Sequence, residues 1–355
     1  MRIGLYGLPT AGKSFILNAL KNLDVLSGSS LLKEIAPEFH LLTDKEKSDV
    51  RKKLALKLMD RDNFIMDGHY SFDDEIVFTN EDGKLYDTFL YLYIEPSVLQ
   101  ERMSHSIRNN KYLKFNIEQW QRFELESLRD YCHENNKDFY VLDNPKKGFF
   151  KDISMILEFI DSIVCGFSCV QYAKNISKSI LNTISGNKVT LLDGDKTLIL
   201  EDSCGLLGYK TNLFDGNFYT GFQSWRHTKE MTDYLSFINY SYQSIDDLDV
   251  HLNDRVIKKI ENPAVILTTG YYGIWKQLSE KQHMLVYYGD KMSAETKFFV
   301  TKFLQKSGIM VTAFGDSMND YYMLKQADKS FLVLKKDGTI SSSLKGKDLE
   351  GIFIV

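Results

Sequence analysis

The chain has 355 residues, 43% of them hydrophobic and 26% charged, with a formal net charge of -4. That length exceeds what one ordinary core fills and predicts two domains of a soluble globular protein. The acidic balance argues against a strongly basic nucleic-acid-binding surface. Cys132, Cys165, Cys169 and Cys204 lack metal-ligand spacing and read as reduced thiols. No secretory leader precedes the first strand, Arg2 to Tyr6, and the best apolar stretch, residues 153–167, is broken by Glu158 and Asp161 at helical spacing. A cytoplasmic protein without a membrane span is expected.

In chain order, the first part alternates strand-like and helix-like segments, the pattern of an α/β domain with a parallel sheet. Short apolar strands are predicted at residues 3–6, 64–66, 89–94 and 139–142. Helices are predicted after Lys13, over 45–59 with Thr43 or Asp44 as cap, over 96–103, over 117–135 and from Asp152 to about Cys165. This gives a first domain over residues 1–166. Residues 167–187, weakly helical and ending in Ser185-Gly-Asn-Lys188, read as a linker. A second α/β domain is predicted over 188–355, with its first strand at 189–192 and its second at 264–267. The long insertion between them, with helical patterning over 231–238, predicts a cap at about 203–260. The fold class is therefore α/β with two parallel-sheet domains.

Residues Gly7-Leu-Pro-Thr-Ala-Gly12-Lys13-Ser14 match G-x-x-x-x-G-K-[ST] between a predicted strand and a predicted helix. Glycines at Gly7 and Gly12 let backbone N–H groups turn inward around phosphates, reinforced by the helix N-terminus. Lys13 is placed to reach the β- and γ-phosphates of ATP and Ser14 to ligate Mg²⁺. Asp67, ending the strand at 64–66, is the expected second acidic group near that Mg²⁺. In size and strand–helix rhythm the domain resembles the adenylate-kinase-like family of small P-loop kinases. The resemblance implies a mobile basic lid, for which Arg102 and then Arg108 are the candidates, with a lid arginine offsetting charge on the transferred phosphoryl group. An acceptor base is sought among Asp67, Asp24 and Asp73. By the same resemblance the segment Ser27 to Ser30 occupies the region where the family binds its acceptor, and His69 reads either as a substrate contact or as a structural histidine at the strand end.

In the second half, Asp193-Gly-Asp195-Lys-Thr197 follows an apolar run, Thr268-Thr269-Gly270 closes another, Lys297 follows, and Gly315-Asp316-Ser-Met-Asn319-Asp320 completes the series. Two aspartates two residues apart at a strand end can face one site, one as nucleophile and one as acid/base. Oxygen ligands beside phosphate suit Mg²⁺. In this order the four segments resemble the haloacid dehalogenase (HAD) phosphatases. The resemblance implies Asp193 as nucleophile, Asp195 as acid/base, Thr268 (with Thr269 adjacent) and Lys297 as phosphate clamp, and Asp193, the Asp195 carbonyl, Asp316 and Asp320 around Mg²⁺. The phosphoserine-phosphatase-like subgroup is the nearest in pattern, and by that comparison Asp202 and Arg226, with Thr269 and Gly270, are expected to meet substrate.

The expected function is a bifunctional ATP-dependent kinase and Mg²⁺-dependent phosphomonoesterase acting on small phosphorylated or hydroxyl-bearing molecules. Two alternatives are carried. One is a polynucleotide 5′-kinase/3′-phosphatase, whose phage examples share this domain order, although acidity and a cap disfavour nucleic acid. The other is an ATP-sensing P-loop domain that regulates a phosphatase.

Overall fold

The computed structural model describes residues 1–355 apart from residues 74, 144–152, 215–217, 241–243 and 262. The described residues divide into two compact units, Met1–Phe167 and Ser168–Val355. Among the described residues no single helix is long and apolar enough to cross a membrane.

The first unit is built on a five-stranded sheet of β1 (Arg2–Tyr6), β2 (Asp24–Leu26), β3 (Phe64–Asp67), β6 (Thr88–Leu92) and β7 (Asp138–Leu142), in the order β2-β3-β1-β6-β7. A separate short hairpin pairs β4 (Ser71–Phe72) with β5 (Glu75–Ile76). Every pairing in the main sheet is parallel. Parallel strands are covered on both faces, which is why β6 and β7 read as continuous apolar runs and are buried throughout. Register sets Leu5 of β1 opposite Asp67 of β3 and Leu90 of β6. The glycine loop and Asp67 thus emerge together at the carboxyl edge, where open α/β sheets bind ligands.

The predicted helix over 45–59 is observed as Asp44–Leu58, capped by Thr43. The Thr43 hydroxyl accepts from the Glu46 N–H while the Glu46 carboxylate accepts from the Thr43 N–H, a reciprocal capping box. The helix expected from Asp152 is observed over Ser154–Val164, and Asp152 itself lies outside the described residues.

The second unit carries a six-stranded parallel sheet: β8 (Lys188–Leu192), β9 (Ala264–Leu267), β10 (Leu285–Tyr287), β11 (Met310–Gly315), β12 (Lys329–Leu332) and β13 (Phe353–Ile354), in the order β10-β9-β8-β11-β12-β13. β8 is central, so its last residues lie between the ends of β9 and β11. The insertion after β8 is pinched at its base by an antiparallel bridge between Ile199 and Leu252. Its main element is the helix Gly221–Phe237.

The expected linker over 167–187 is corrected by the structure. Phe167 packs its ring against Tyr140 and Phe159 in the first unit. Residues Cys169–Thr183 form a helix whose Val170, Ala173, Ile176 and Ile180, spaced three or four apart, lie in the core of the second unit beside Phe299, Val300 and Leu304. The stretch is a core element because one helical face is apolar.

Within the first unit, the buried Glu124 carboxylate accepts from the Ser71 N–H (2.9 Å), the Ser71 hydroxyl (3.1 Å) and the Tyr91 hydroxyl (3.0 Å). Burial raises its pKa against these bonds. Glu124→Ala would strand three buried donors and is expected to lower the stability of this unit by about 2–3 kcal/mol in urea unfolding, with Glu124→Gln costing less. Equal losses in the two variants would contradict the role assigned to the acceptor oxygens.

Candidate active site

The sequence places its chemistry at strand ends, and the sheet register of the second unit gathers it. Leu192 pairs with Ile266 on one side and Phe314 on the other, so Asp193, Thr268 and Asp316 leave three adjacent strands at one level. The Asp193 N–H donates to the Phe314 carbonyl at 3.0 Å, which fixes that register at the last residue. Lys297 comes from the helix Ala294–Lys306, whose N-cap Ser293 holds the Thr296 N–H. It is fully buried, and its ammonium bridges Asp193 Oδ1 at 2.5 Å and Asp320 Oδ1 at 2.7 Å. Of the neighbouring lysines, Lys302 lies over the Phe298 and Phe299 rings instead.

Asp320 is held at its second oxygen by the Asp316 N–H (3.1 Å), the Ser317 N–H (3.3 Å) and the Ser317 hydroxyl (3.3 Å). Asp193, Asp316 and Asp320 are all buried and offer oxygens within 4.8 Å of one another. Burial and the like charges of Asp320 and Asp193 raise the Asp316 pKa well above the usual carboxylate range. One buried ammonium does not neutralise three buried carboxylates, and an all-oxygen anionic donor set of this kind fits Mg²⁺. The Asp195 carboxylate is not part of this cluster and turns to a different set of partners.

Asp195 Oδ2 accepts from the Ser203 hydroxyl at 2.9 Å and Oδ1 accepts from the Trp275 indole N–H at 3.1 Å. The Ser203 oxygen in turn accepts the Tyr271 N–H at 2.9 Å. Gly270 makes this convergence possible, because a Cβ there would sit 2.7 Å from Asp195 Oδ2. Burial, then Asp202, then Asp193 push the Asp195 pKa up to about 7. Burial and Asp320 push Asp193 to about 6, with Lys297 pulling it back. The two carboxyls thus sit in unlike surroundings, Asp193 beside a buried ammonium and Asp195 among neutral donors, the kind of division that acid/base chemistry uses. Thr268 is buried and its hydroxyl oxygen accepts the Gly270 N–H at 3.0 Å, which leaves its proton for a ligand.

These groups line a cavity of about 820 Å³ with Asp193, Asp195, Thr268, Thr269, Gly270 and Asp316 in its wall. Asp202 is there too, already engaged: it pairs with Lys196 at 2.6 Å and caps a short helix through the Gly205 N–H. Arg226 does not line this cavity. On its helix it pairs with Glu230 at 2.9 Å, one turn on, while its neighbour His227 takes the inward face. Cations reach the cavity instead from Lys196, Lys210, Lys335 and Lys336. Sequence reasoning missed Ser203, Trp275 and His227. It also assigned nothing to Asn319, whose Oδ1 is buried without a partner and which lines the cavity inside the G-D-S-x-N-D segment.

In the first unit a cavity of about 610 Å³ is lined by Leu8 to Ser14, Ser29, Arg51, Asp67, His69, Asp82, Arg108 and Tyr112. Gly7 adopts φ 145°, and a Cβ there would meet the Leu92 carbonyl at 2.8 Å, so only glycine fits the start of the loop. The Lys13 ammonium is buried and donates to the Gly7 and Leu8 carbonyls, and burial lowers its pKa to about 8, opposed by Glu124 and Asp67. Ser14 and Asp67 share the cavity, and Asp67 Oδ1 accepts the Gly28 N–H at 3.0 Å. Of the lid candidates, Arg108 lines the cavity. Arg102 braces the loop from outside through the Thr10 and Ala11 carbonyls, both at 3.2 Å. Among the acceptor-base candidates only Asp67 lines the cavity; Asp24 pairs with Arg61 at 3.0 Å. The His69 ring lies tilted against Phe72, with centres 4.9 Å apart, and burial, then Lys13 and Arg108, hold its pKa well below the usual histidine value.

Residues 173–342 match the family model of haloacid dehalogenase-like hydrolases. No curated protein sequence matches the chain. Among solved structures, shikimate kinase from Acinetobacter baumannii in complex with shikimate is 18% identical, over 45% of this chain and 93% of its own, with a TM-score of 0.34. A phospho-aspartyl intermediate analogue of phosphoserine phosphatase is 16% identical, over 43% of this chain and 89% of its own, with a TM-score of 0.31.

Removing Lys297 would leave buried carboxylates without their cation. Lys297→Met is therefore expected to destabilise the second unit by about 3–5 kcal/mol. Mg²⁺ should raise the melting temperature of the wild-type second unit in calorimetry, and less so for Asp316→Asn. No Mg²⁺-dependent shift in the wild type would contradict the metal assignment.

Proposed function

We propose that the chain is a bifunctional enzyme, with an ATP-dependent phosphotransferase in the first unit and a Mg²⁺-dependent phosphomonoesterase in the second. The observation that carries the second activity is the convergence of Asp193, Asp195, Thr268 and Lys297 on one cavity wall or directly behind it. Asp193 attacks phosphorus and the bond from phosphorus to the ester oxygen breaks. The protonated Asp195 carboxyl gives its proton to the departing alkoxide. Asp195, now ionised, takes a proton from water as that water attacks the aspartyl-phosphate, which returns the Asp193 carboxylate and releases inorganic phosphate. Thr268 and the Asn319 side chain bind phosphoryl oxygens, and Lys297 offsets charge on Asp193. Asp193, Asp316 and Asp320, with the Asp195 carbonyl, would hold Mg²⁺, whose chemistry here is to neutralise charge shared between the nucleophile and the phosphoryl oxygens.

In the first unit the loop from Gly7 to Ser14 binds the ATP phosphates. Lys13 exchanges its loop carbonyls for phosphate oxygens, Arg108 approaches the transferred group, Arg102 holds the loop, and Asp67 serves the acceptor hydroxyl or Mg²⁺. Lining the same cavity, Arg51 and Asp82 supply polar contacts for the acceptor.

Phosphate release from a panel of phosphomonoesters should fall by about a thousandfold or more in Asp193→Asn. Equal release from the wild type and this variant would sink the phosphatase reading. For the first unit, Lys13→Ala should abolish transfer of the γ-phosphoryl of labelled ATP to hydroxyl acceptors while sparing ester hydrolysis. ATP binding with no transfer to any acceptor would favour the sensor reading. Transfer to a 5′-hydroxyl oligonucleotide, with none to small molecules, would favour the polynucleotide reading.

A further inference from the structure

A second cavity of the C-terminal unit, about 570 Å³, adjoins the phosphoryl cavity and shares Cys204, His227, Thr269 and Gly270 with it. Tyr240, Tyr271, Tyr272 and Tyr288 stand together in its wall. Tyr271 meets Tyr240 edge-on with ring centres 5.9 Å apart and Tyr272 at 5.4 Å; Tyr272 and Tyr288 lie stacked at 5.6 Å. The helix Gly221–Phe237 faces them with Met231 and Leu235. The hydroxyls that this helix brings to the cavity are committed elsewhere: Thr228, Thr232 and Ser236 each donate to a carbonyl one turn back, at 3.1, 2.8 and 2.9 Å. Among the described residues, no acidic or basic side chain apart from His227 lines it, and burial lowers the His227 pKa, with Asp202 opposing, which favours the neutral imidazole.

This division of labour specifies a substrate. An ester whose phosphoryl group sits against Asp193 must lodge its alcohol beyond Thr269 and Gly270, where tyrosine faces and apolar side chains wait. A small polar alcohol such as serine or glycerol would leave aromatic surface facing water. A planar ring would cover it by stacking, with His227 at the junction of the two cavities and Asn239 in the wall for polar edges. Resting on the phosphomonoesterase reading above, we infer that the leaving alcohol carries a planar aromatic ring system, with the tyrosine cavity as its recognition site.

The test is a comparison of kcat/KM for nucleoside 3′- and 5′-monophosphates and benzyl phosphate against glycerol phosphate, phosphoserine and glucose 6-phosphate. Ring-bearing esters should lead by about tenfold or more, the scale of aromatic stacking. Tyr272 is half exposed, so Tyr272→Ala should fold; it should cut the preference for ring-bearing over glycerol esters by about tenfold. Tyr272→Phe should retain that preference. A lead for the nucleotides over benzyl phosphate would identify a nucleoside, and an equal rate a simple arene; each supports the inference. Asp193-dependent hydrolysis without any preference for ring-bearing esters overturns the inference and leaves the phosphatase intact. No Asp193-dependent hydrolysis of any ester overturns both.

Discussion

The second unit depends on one buried cation. Lys297 has no contact with solvent, and its ammonium holds Asp193 and Asp320 together from behind the cavity wall. Attraction in a low-dielectric site is strong, but so is the desolvation of each partner, and such groups rarely stabilise a fold on balance. Asp316 is a third buried carboxyl beside this pair, and burial, then Asp320 and Asp193, raise its pKa well above the usual carboxylate range. The carboxyl ends of β8 and β11 therefore gather more acidic groups than one buried ammonium balances. A divalent cation held there, as proposed above, would offset their charge in a way that apolar packing cannot. The arrangement makes sense as chemistry held in place at some cost to stability.

The first unit shows the same economy in a milder form. Lys13 is buried against the carbonyls of its own loop, partners that satisfy its hydrogens but not its charge. Burial accordingly lowers its pKa. Phosphate oxygens would supply the missing charge in the same place, so the loop is poised for an anion rather than closed around itself. A kinase and a phosphatase acting on one and the same ester would only consume ATP. The two proposed activities would be productive on different positions or different molecules, and the unlike walls of the two cavities are consistent with that. One is set with Arg51, Asp82 and Arg108, and the other continues into uncharged tyrosine faces.

What was legible in the sequence was what lies contiguous in it. The glycine loop, the Asp193-Gly-Asp195 turn and the Gly315–Asp320 segment are local patterns, and β-strand register then brings them together without further information. Lys297 carries no local pattern and was given by the family resemblance; the structure sets it against Asp193, while Lys302 lies over aromatic rings. Arg226 misled because a helix turns about 100° per residue, so the side chain facing the cavity is its neighbour His227. Nothing local distinguishes the two. Ser203 and Trp275 come from segments far apart and converge on Asp195. The helix Cys169–Thr183 passed for a linker because its outward face is polar, although Val170, Ala173, Ile176 and Ile180 carried the periodic signal. The edge strands β2 and β13 are short and largely exposed, and the apolar run of residues 352–355 that holds β13 is too brief to stand out as a strand.

The tyrosine cavity and the reacting groups are linked by more than adjacency. The Ser203 hydroxyl donates to Asp195 and accepts from the Tyr271 N–H, so one oxygen connects the acid/base to the backbone of the aromatic wall. Gly270 lies between them with no room for a side chain, which ties the position of Tyr271 to that of Asp195. A ligand ring resting on this wall would steady the loop from Thr268 to Tyr271 and, through it, the Thr268 hydroxyl and Asp195 carboxyl proposed to clamp phosphate and move the proton. Binding energy gathered remote from phosphorus would then be expressed where the bond breaks, which is how recognition of a leaving group raises the rate and not merely the affinity.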